Sequence, residues 1–205
     1  MEKMHLLESK HVQGAKLYAN RIDMIKDVCL PKGSRISEIG VAFGDFSEEL
    51  ISAHQPSEFV AFDLFELHKV PVIWGKPSVE IFNHKEHLPY YKERLSKYES
   101  STSLNIHKGD SSTQLANYPD AHFDLIYIDG AHDYEGVKKD TDVAQKKLAK
   151  NGYLVFNDYI YFDHIAKEEY GIIPVVNELC VLQGWKVTGF AFQSQMFCDI
   201  CVVRA

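Results

Sequence analysis

A short apolar run that breaks on small residues, then resumes as a second apolar run ending in an acid, leaves few folds open. The stretch Arg35 to Asp63, R-I-S-E-I-G-V-A-F-G-D-F-S-E-E-L-I-S-A-H-Q-P-S-E-F-V-A-F-D, has this form. Ile36 and Ile39 mark a short buried strand. Gly40, Ala42 and Gly44 form a turn whose missing side chains let a ligand approach the backbone. Asp45 or Ser47 can start a helix, with Glu48 and Glu49 in its first turn, where negative charge suits the helix dipole. Phe59 to Phe62 is a second strand, and Asp63 sits at its carboxyl end. Strand, helix and strand in this order predict a parallel α/β sheet, and such sheets bind ligands at the carboxyl edge. An acid there, roughly 20 residues past the turn, suits hydrogen bonds to ribose hydroxyls.

The glycine spacing narrows the ligand. A dinucleotide fingerprint needs small residues at 40, 42 and 45, and position 45 is Asp. This disfavours a nicotinamide cofactor.

Around this unit the chain reads as one domain, residues 1–205. Leu17, Ile22, Ile25 and Val28 recur at roughly helical spacing and predict a helix over 12–30, ended by Pro31-Lys32-Gly33. After Asp63 the alternation lapses, and 65–84 is long for a connection, as lids and binding loops often are. Its Phe65, Trp74 and Phe82 either line a pocket or pack the loop down. A helix is expected over 86–98 and a third strand over 104–107, followed by Gly109-Asp110-Ser111. Asp110 is also an ordinary helix cap before S-S-T-Q-L-A. A helix at 172–182 and strands at 185–192 and 197–203 form the end of the chain, the last two as a hairpin.

The second half carries the acids. Phe123 to Ile128 is a strong strand running into Asp129. A helix then continues to about Lys150, where boundaries drift by several residues. The strand Tyr153 to Phe156 runs into Asn157-Asp158. Neighbouring strands lie about 5 Å apart, so Asp129, Asn157 and Asp158 can meet at one sheet edge. Oxygen ligands without thiolate suit a hard cation such as Mg²⁺. A cap at Asp129 and a turn at Asn157-Asp158 are the plainer alternatives.

The run F-D-L-I-Y-I-D-G-A-H-D-Y-E-G-V-K-K-D, followed by N-G-Y-L-V-F-N-D-Y, closely resembles the small-molecule O-methyltransferase family that includes macrocin- and noviose-type sugar O-methyltransferases. The turn E-x-G-x-A-x-G resembles the first motif of class I S-adenosylmethionine-dependent methyltransferases. The resemblance covers most of Ser34 to Leu182. It implies an α/β, Rossmann-like methyltransferase three-layer sandwich, with a seven-stranded mostly parallel sheet ordered 3-2-1-4-5-7-6 and an antiparallel C-terminal strand. It implies S-adenosyl-L-methionine held by Glu38, Gly40, Ala42, Gly44 and Ser47 around the turn, with Asp63 on the ribose, Asp110 and Ser111 near the adenine, and Asp129 beside them. It further implies a divalent metal, Mg²⁺ or another cation, on Asp129, Asn157 and Asp158. Asn157 stands where the first acid of a D-D pair is usual, which keeps the ligand type and loses a charge. His132 or a metal-bound carboxylate such as Asp129 is the implied proton acceptor; histidine has an ordinary pKa near ~6.5. His132 can also simply fix its loop.

Composition bounds the rest. A net charge of -7 argues against nucleic-acid and anionic-membrane partners. No apolar run spans a bilayer and the N-terminus lacks a signal-peptide core, so a cytoplasmic location is expected. Cys198 and Cys201 form C-x-x-C in an apparent strand, where residues three apart point to opposite faces, so buried small hydrophobes are expected. The acceptor is expected to be a small hydroxylated molecule, with specificity set by the 65–84 lid and by 159–164. Tyr161, Asp163 and His164 are either contacts or surface residues. A homodimer remains open, as do a metal-independent enzyme and a non-catalytic binding module on the same scaffold.

Overall fold

The computed structural model describes residues 4–205. Strand β1 (Lys16–Tyr18) and helix α1 (Arg21–Asp27) precede the unit β2 (Arg35–Ile39), α2 (Asp45–His54) and β3 (Glu58–Asp63). Then come α3 (His87–Leu95), β4 (Ser103–Lys108), α4 (Ser111–Leu115), β5 (Phe123–Ile128) and α5 (Tyr134–Lys147). The chain closes with β6 (Leu148–Phe156), α6 (Ile172–Gln183), β7 (Trp185–Phe192) and β8 (Cys198–Arg204).

These strands form one eight-stranded sheet in the order β1-β7-β8-β6-β5-β2-β3-β4. Strands β4, β3, β2, β5 and β6 run parallel. β8 is antiparallel to both its neighbours, β6 and β7. Central strands such as F-V-A-F and L-I-Y-I are apolar throughout because helices cover both faces. Alternate residues of β5 show it. Ile126 and Ile128 pack with Val137, Val175 and Val176 of α5 and α6. Leu125 and Tyr127 pack with Met24, Phe46 and Tyr91 of α1, α2 and α3.

The structure departs from the expected elements in three places. The helix expected over 12–30 is broken. Gly14 turns at φ +82°, β1 then adds an eighth strand in parallel to the open edge of β7, and Asn20 caps α1 by accepting from Asp23 N. Helical spacing of Leu17 and Ile22 was a coincidence, since the unpaired edge of β7 had backbone groups to satisfy. The helix before β4 ends at Tyr98 as expected, its last turn tightening to a 3-10 helix over Ser96–Tyr98. β6 starts at Leu148, directly after α5, with a register shift against β5. Finally, the lid is structured: a short ribbon pairs Val72–Ile73 with Lys76–Pro77 before a helical turn at Ser78–Ile81. Phe65 and Phe82 are fully buried against His87, so they pack the lid down and do not line a pocket. Among the described residues all four cysteines are free, Cys198 and Cys201 both buried.

Candidate functional site

The turn after β2 is built against the end of β5. Gly40 N donates to Phe62 O at 2.8 Å, Asp129 N to Ile39 O at 2.8 Å, and Asn157 N to Ile128 O at 3.0 Å. The ends of four strands are thereby laced together. Gly40 has φ +77°, and a Cβ there would stand 1.9 Å from Asp129 O, so only glycine fits. Asp63 holds the turn and the start of the lid: its Oδ2 accepts from Val41 N at 2.9 Å and its Oδ1 from Phe65 N at 2.5 Å. Glu38 and Ser47 lie behind the turn. Ser47 Oγ donates to Glu38 and accepts from Tyr91 OH at 2.8 Å. Burial pushes the Glu38 carboxyl well above the usual range. Gly44, at φ +85°, is the cap of α2 and packs beside the Tyr91 ring.

In front of the turn is a cavity of about 600 Å³, within the range of small-molecule sites. Gly40, Ala42 and Asp63 form one wall and Gly130 and Ala131 another. Leu64 and, from the lid, Val70 and Trp74 also line it. Trp74 is 78% exposed at φ +48° and meets Phe43 of the turn edge-on at 5.0 Å. Of the residues expected on the cofactor, Glu38, Gly44 and Ser47 do not border this cavity; they shape its wall from behind.

At one end stand Asp110 and Ser111. Asp110 caps α4, accepting from Thr113 N, and pairs with Lys139 Nζ at 2.9 Å. Thr113, Lys139 and Ser112 together hold its carboxyl far below the usual range. Ser111 Oγ donates to Asp140 Oδ1 at 2.6 Å. Asp140 is only 4% exposed, and burial raises its carboxyl. Lys139 and Asp140 border the cavity and were not anticipated. The signal for them was present: Gly136, Lys139 and Asp140 are spaced i, i+3, i+4 and so share a helix face.

At the other end Asp129 and His132 border the cavity, with Asn157 and Asp158 just outside it. Asn157 Nδ2 donates to Asp129 Oδ2 at 3.0 Å and to Tyr127 OH at 3.1 Å. Its Oδ1 is buried with no partner among the described residues. His132 Nε2 stands 3.6 Å from both Asp129 Oδ1 and Asp158 Oδ2, its ring stacked on Tyr170 at 4.5 Å. Burial alone would lower the imidazole, but Asp129 and Asp158 outweigh it and raise it. Burial and the Asp129 charge push Asp158 up to about 6. By type, two carboxylates and an amide oxygen suit a hard cation, but here Asn157 presents its nitrogen and not its oxygen to Asp129. Among the described residues no three His, Cys, Asp or Glu side chains are grouped to hold one. Asp163 accepts from Ile165 N, Ala166 N and Tyr170 OH, which makes it a loop anchor. Tyr161 is exposed, and His164 packs on Phe197.

A second layer, unforeseen in the sequence, stands behind Asn157. Tyr127 OH donates to Asp199 Oδ2 at 2.6 Å and accepts from Arg21 Nη1 at 3.2 Å. Burial raises Asp199 from 3.8 to about 7. Between those values the folded protein keeps a proton that the unfolded chain has lost, so this group's contribution to stability falls as pH rises. Asp199→Asn removes that dependence. Its melting temperature relative to the unaltered protein is expected to climb from pH 5 to pH 8; a constant difference would mean that Asp199 titrates normally.

A model of a methyltransferase domain family matches residues 37–159. An uncharacterized protein of Acanthamoeba polyphaga mimivirus is 27% identical over 114 residues, 50% of this chain and 49% of that protein. The match thus spans about half of that curated relative. Among solved structures, a protein from Staphylococcus aureus described as a candidate caffeoyl-CoA O-methyltransferase superposes with a TM-score of 0.59 at 19% identity, over 89% of this chain and 82% of that one. Cofactor-bound Rv0187 from MTB gives 0.59 at 17%, over 88% and 79%. The trans-methyltransferase CalH in complex with SAH gives 0.55 at 11%, over 90% and 55%. At these identities the likeness to the solved structures is one of fold.

Proposed function

The chain belongs to the methyltransferase domain family, and on that premise we propose that it is an S-adenosylmethionine-dependent O-methyltransferase for a small hydroxylated acceptor, sugars first. One observation carries this reading. A single cavity is bordered by the turn residues Gly40 and Ala42 with Asp63, and also by Asp129 and His132. A bound cofactor and an acceptor hydroxyl can therefore meet within it. The macrocin- and noviose-type motif from Asp129 to Asp140 points to the same acceptor class, and an O-methyltransferase description among the fold neighbours agrees with it.

In this reading the small residues of the turn let the cofactor approach the backbone, and Asp63 accepts from its ribose hydroxyls. The cofactor supplies a sulfonium-bound methyl group, and a divalent cation on Asp129, Asn157 and Asp158 would acidify an acceptor hydroxyl. The acceptor proton goes to Asp129, which borders the cavity, with His132 Nε2 buried 3.6 Å from both Asp129 and Asp158 and its ring against Tyr170. Leu64, Val70 and Trp74 give the cavity an apolar border against the acceptor. The chain's main contribution is positioning of the two reactants.

A second, metal-independent reading keeps the same cofactor site. It is favoured by His132 itself, whose Nε2 stands 3.6 Å from both carboxylates and, when protonated, can take the place of a cation. Calorimetric titration with S-adenosylhomocysteine, with and without Mg²⁺, followed by turnover in chelator, separates the two. Micromolar binding in either condition is expected. Chelator is expected to lower turnover at least about tenfold while leaving that binding unchanged, and full activity in chelator would leave the metal-independent reading. No binding at all would remove the cofactor reading itself.

A further inference from the structure

His87 opens α3 and is fully buried, yet it takes no part in the proposed transfer. It stands where the turn after β2 and the lid meet. Its Nε2 lies 2.5 Å from Ala42 O, and its ring meets those of Phe65 and Phe82 at 4.9 Å each. On the turn side Phe43 meets Phe82 in its turn, at 5.5 Å. A carbonyl only accepts, so Nε2 carries the hydrogen and donates it. That leaves Nδ1 as the bare ring nitrogen, buried with no partner among the described residues. Burial lowers the imidazole, which keeps the ring neutral at neutral pH. A phenyl ring between Phe65 and Phe82 would carry no such unpartnered nitrogen. What the imidazole adds is one N–H, and that N–H goes to the turn.

The recipient borders the cavity. Ala42 has φ +42°, a left-handed conformation that a residue with a Cβ keeps only where its surroundings impose it. Its neighbours are fixed from other sides: Val41 N donates to Asp63 Oδ2 at 2.9 Å, and Gly44 N to Val41 O at 2.8 Å. Among the described residues His87 is the one donor to Ala42 O. Ala42 O and Phe43 N belong to a single planar peptide, so a carbonyl held toward His87 turns the Phe43 N–H the opposite way. One hydrogen bond thus sets the peptide plane in the stretch where small residues let a ligand reach the backbone.

We propose that His87 is a positioning residue for the cofactor: its Nε2–H holds the Ala42 peptide, and with it the turn, in the form that receives S-adenosylmethionine. The inference rests on the S-adenosylmethionine reading of the cavity. His87 does not itself border that cavity, so it acts through Ala42.

The test is calorimetric binding of S-adenosylhomocysteine, beside thermal unfolding, for the unaltered protein, His87→Phe and His87→Gln. Phenylalanine fills the place between Phe65 and Phe82 and removes the donor. Glutamine gives up the ring but keeps a donor at its own Nε2. Binding is measured well below each melting temperature, where every variant is folded. His87→Phe is expected to bind at least about tenfold more weakly, the scale of a buried hydrogen bond lost with its acceptor left unpaired. His87→Gln is expected to stay within about threefold of normal, even where it melts lower. A histidine that served packing alone would give the reverse order. His87→Leu serves if His87→Phe folds poorly, and it should weaken binding likewise. Normal binding by a folded His87→Phe or His87→Leu overturns the proposal, as does His87→Gln binding as weakly as the apolar variants. Failure of both apolar variants to fold also overturns it, by making His87 a stability residue. Failure of the unaltered protein to bind overturns the cofactor reading instead.

Discussion

Asp158→Asn is expected to lower methyl transfer by about 10²- to 10⁴-fold, the range for loss of a group that handles the reacting proton or charge, while S-adenosylhomocysteine binds within about threefold of normal. The substitution is nearly isosteric. It also suits the backbone: Asp158 has φ +53°, a conformation asparagine tolerates. What it removes is one of the two carboxylates facing His132 Nε2. Both readings of the site lose by this. A cation would lose a charged ligand, and His132 would lose half of the field that holds it. Binding survives because Asp158 does not border the cavity proposed for the cofactor. Turnover is to be followed as release of S-adenosylhomocysteine across a panel of hydroxylated sugars and catechols. If Asp158→Asn turns over normally with an acceptor that the unaltered protein methylates, neither the cation nor the His132 role stands as described.

Gly40→Ala is expected to be the most damaging single-methyl substitution in the chain's first half. Two costs combine. At φ +77° a side chain costs roughly 1–2 kcal/mol. In addition, the new Cβ would lie 1.9 Å from the backbone oxygen of Asp129, which cannot move without parting β2 from β5. Forced overpacking of this kind typically costs a further ~1–3 kcal/mol. Together they should lower the melting temperature by about 6–15 °C in a protein of this size. Gly14→Ala is the control. Its φ of +82° is equally unsuited to alanine, yet nothing lies within 4 Å of the added carbon. Thermal unfolding should therefore show Gly40→Ala much the worse of the two. Equal effects would mean that the turn and the Asp129 strand end are not in contact. Cofactor binding should be lost along with stability, because the same displacement closes the cavity between Gly40 and Gly130.

The sheet was legible where periodicity and punctuation agree. Phe123 to Ile128 and Trp185 to Phe192 are strands over the very residues expected. So were the turn at Gly40 and the acids at strand ends, because a βαβ unit delivers whatever follows each strand to one edge of the sheet. The edge strand Lys16–Tyr18 was not legible. Its pairing depends on β7, more than 150 residues away, and local spacing of apolar residues imitated a helix.

In the site, the sequence determined which side chains arrive together: Asp63 beside the turn, and Asp129, His132, Asn157 and Asp158 at neighbouring strand ends. That follows from backbone connectivity alone. Only the tertiary structure decided how each of them is used. Glu38 and Ser47 do not border the cavity, and Asp110, which does, also caps its own helix and pairs with Lys139. Asp140 accepts from Ser111 at the cavity wall, and the Asn157 amide nitrogen is held by Tyr127 and Asp129, leaving its oxygen without a partner among the described residues. The physical reason is that a hydrogen-bond donor or acceptor is available to a ligand only after its neighbours have taken their share. Those neighbours come from distant parts of the chain.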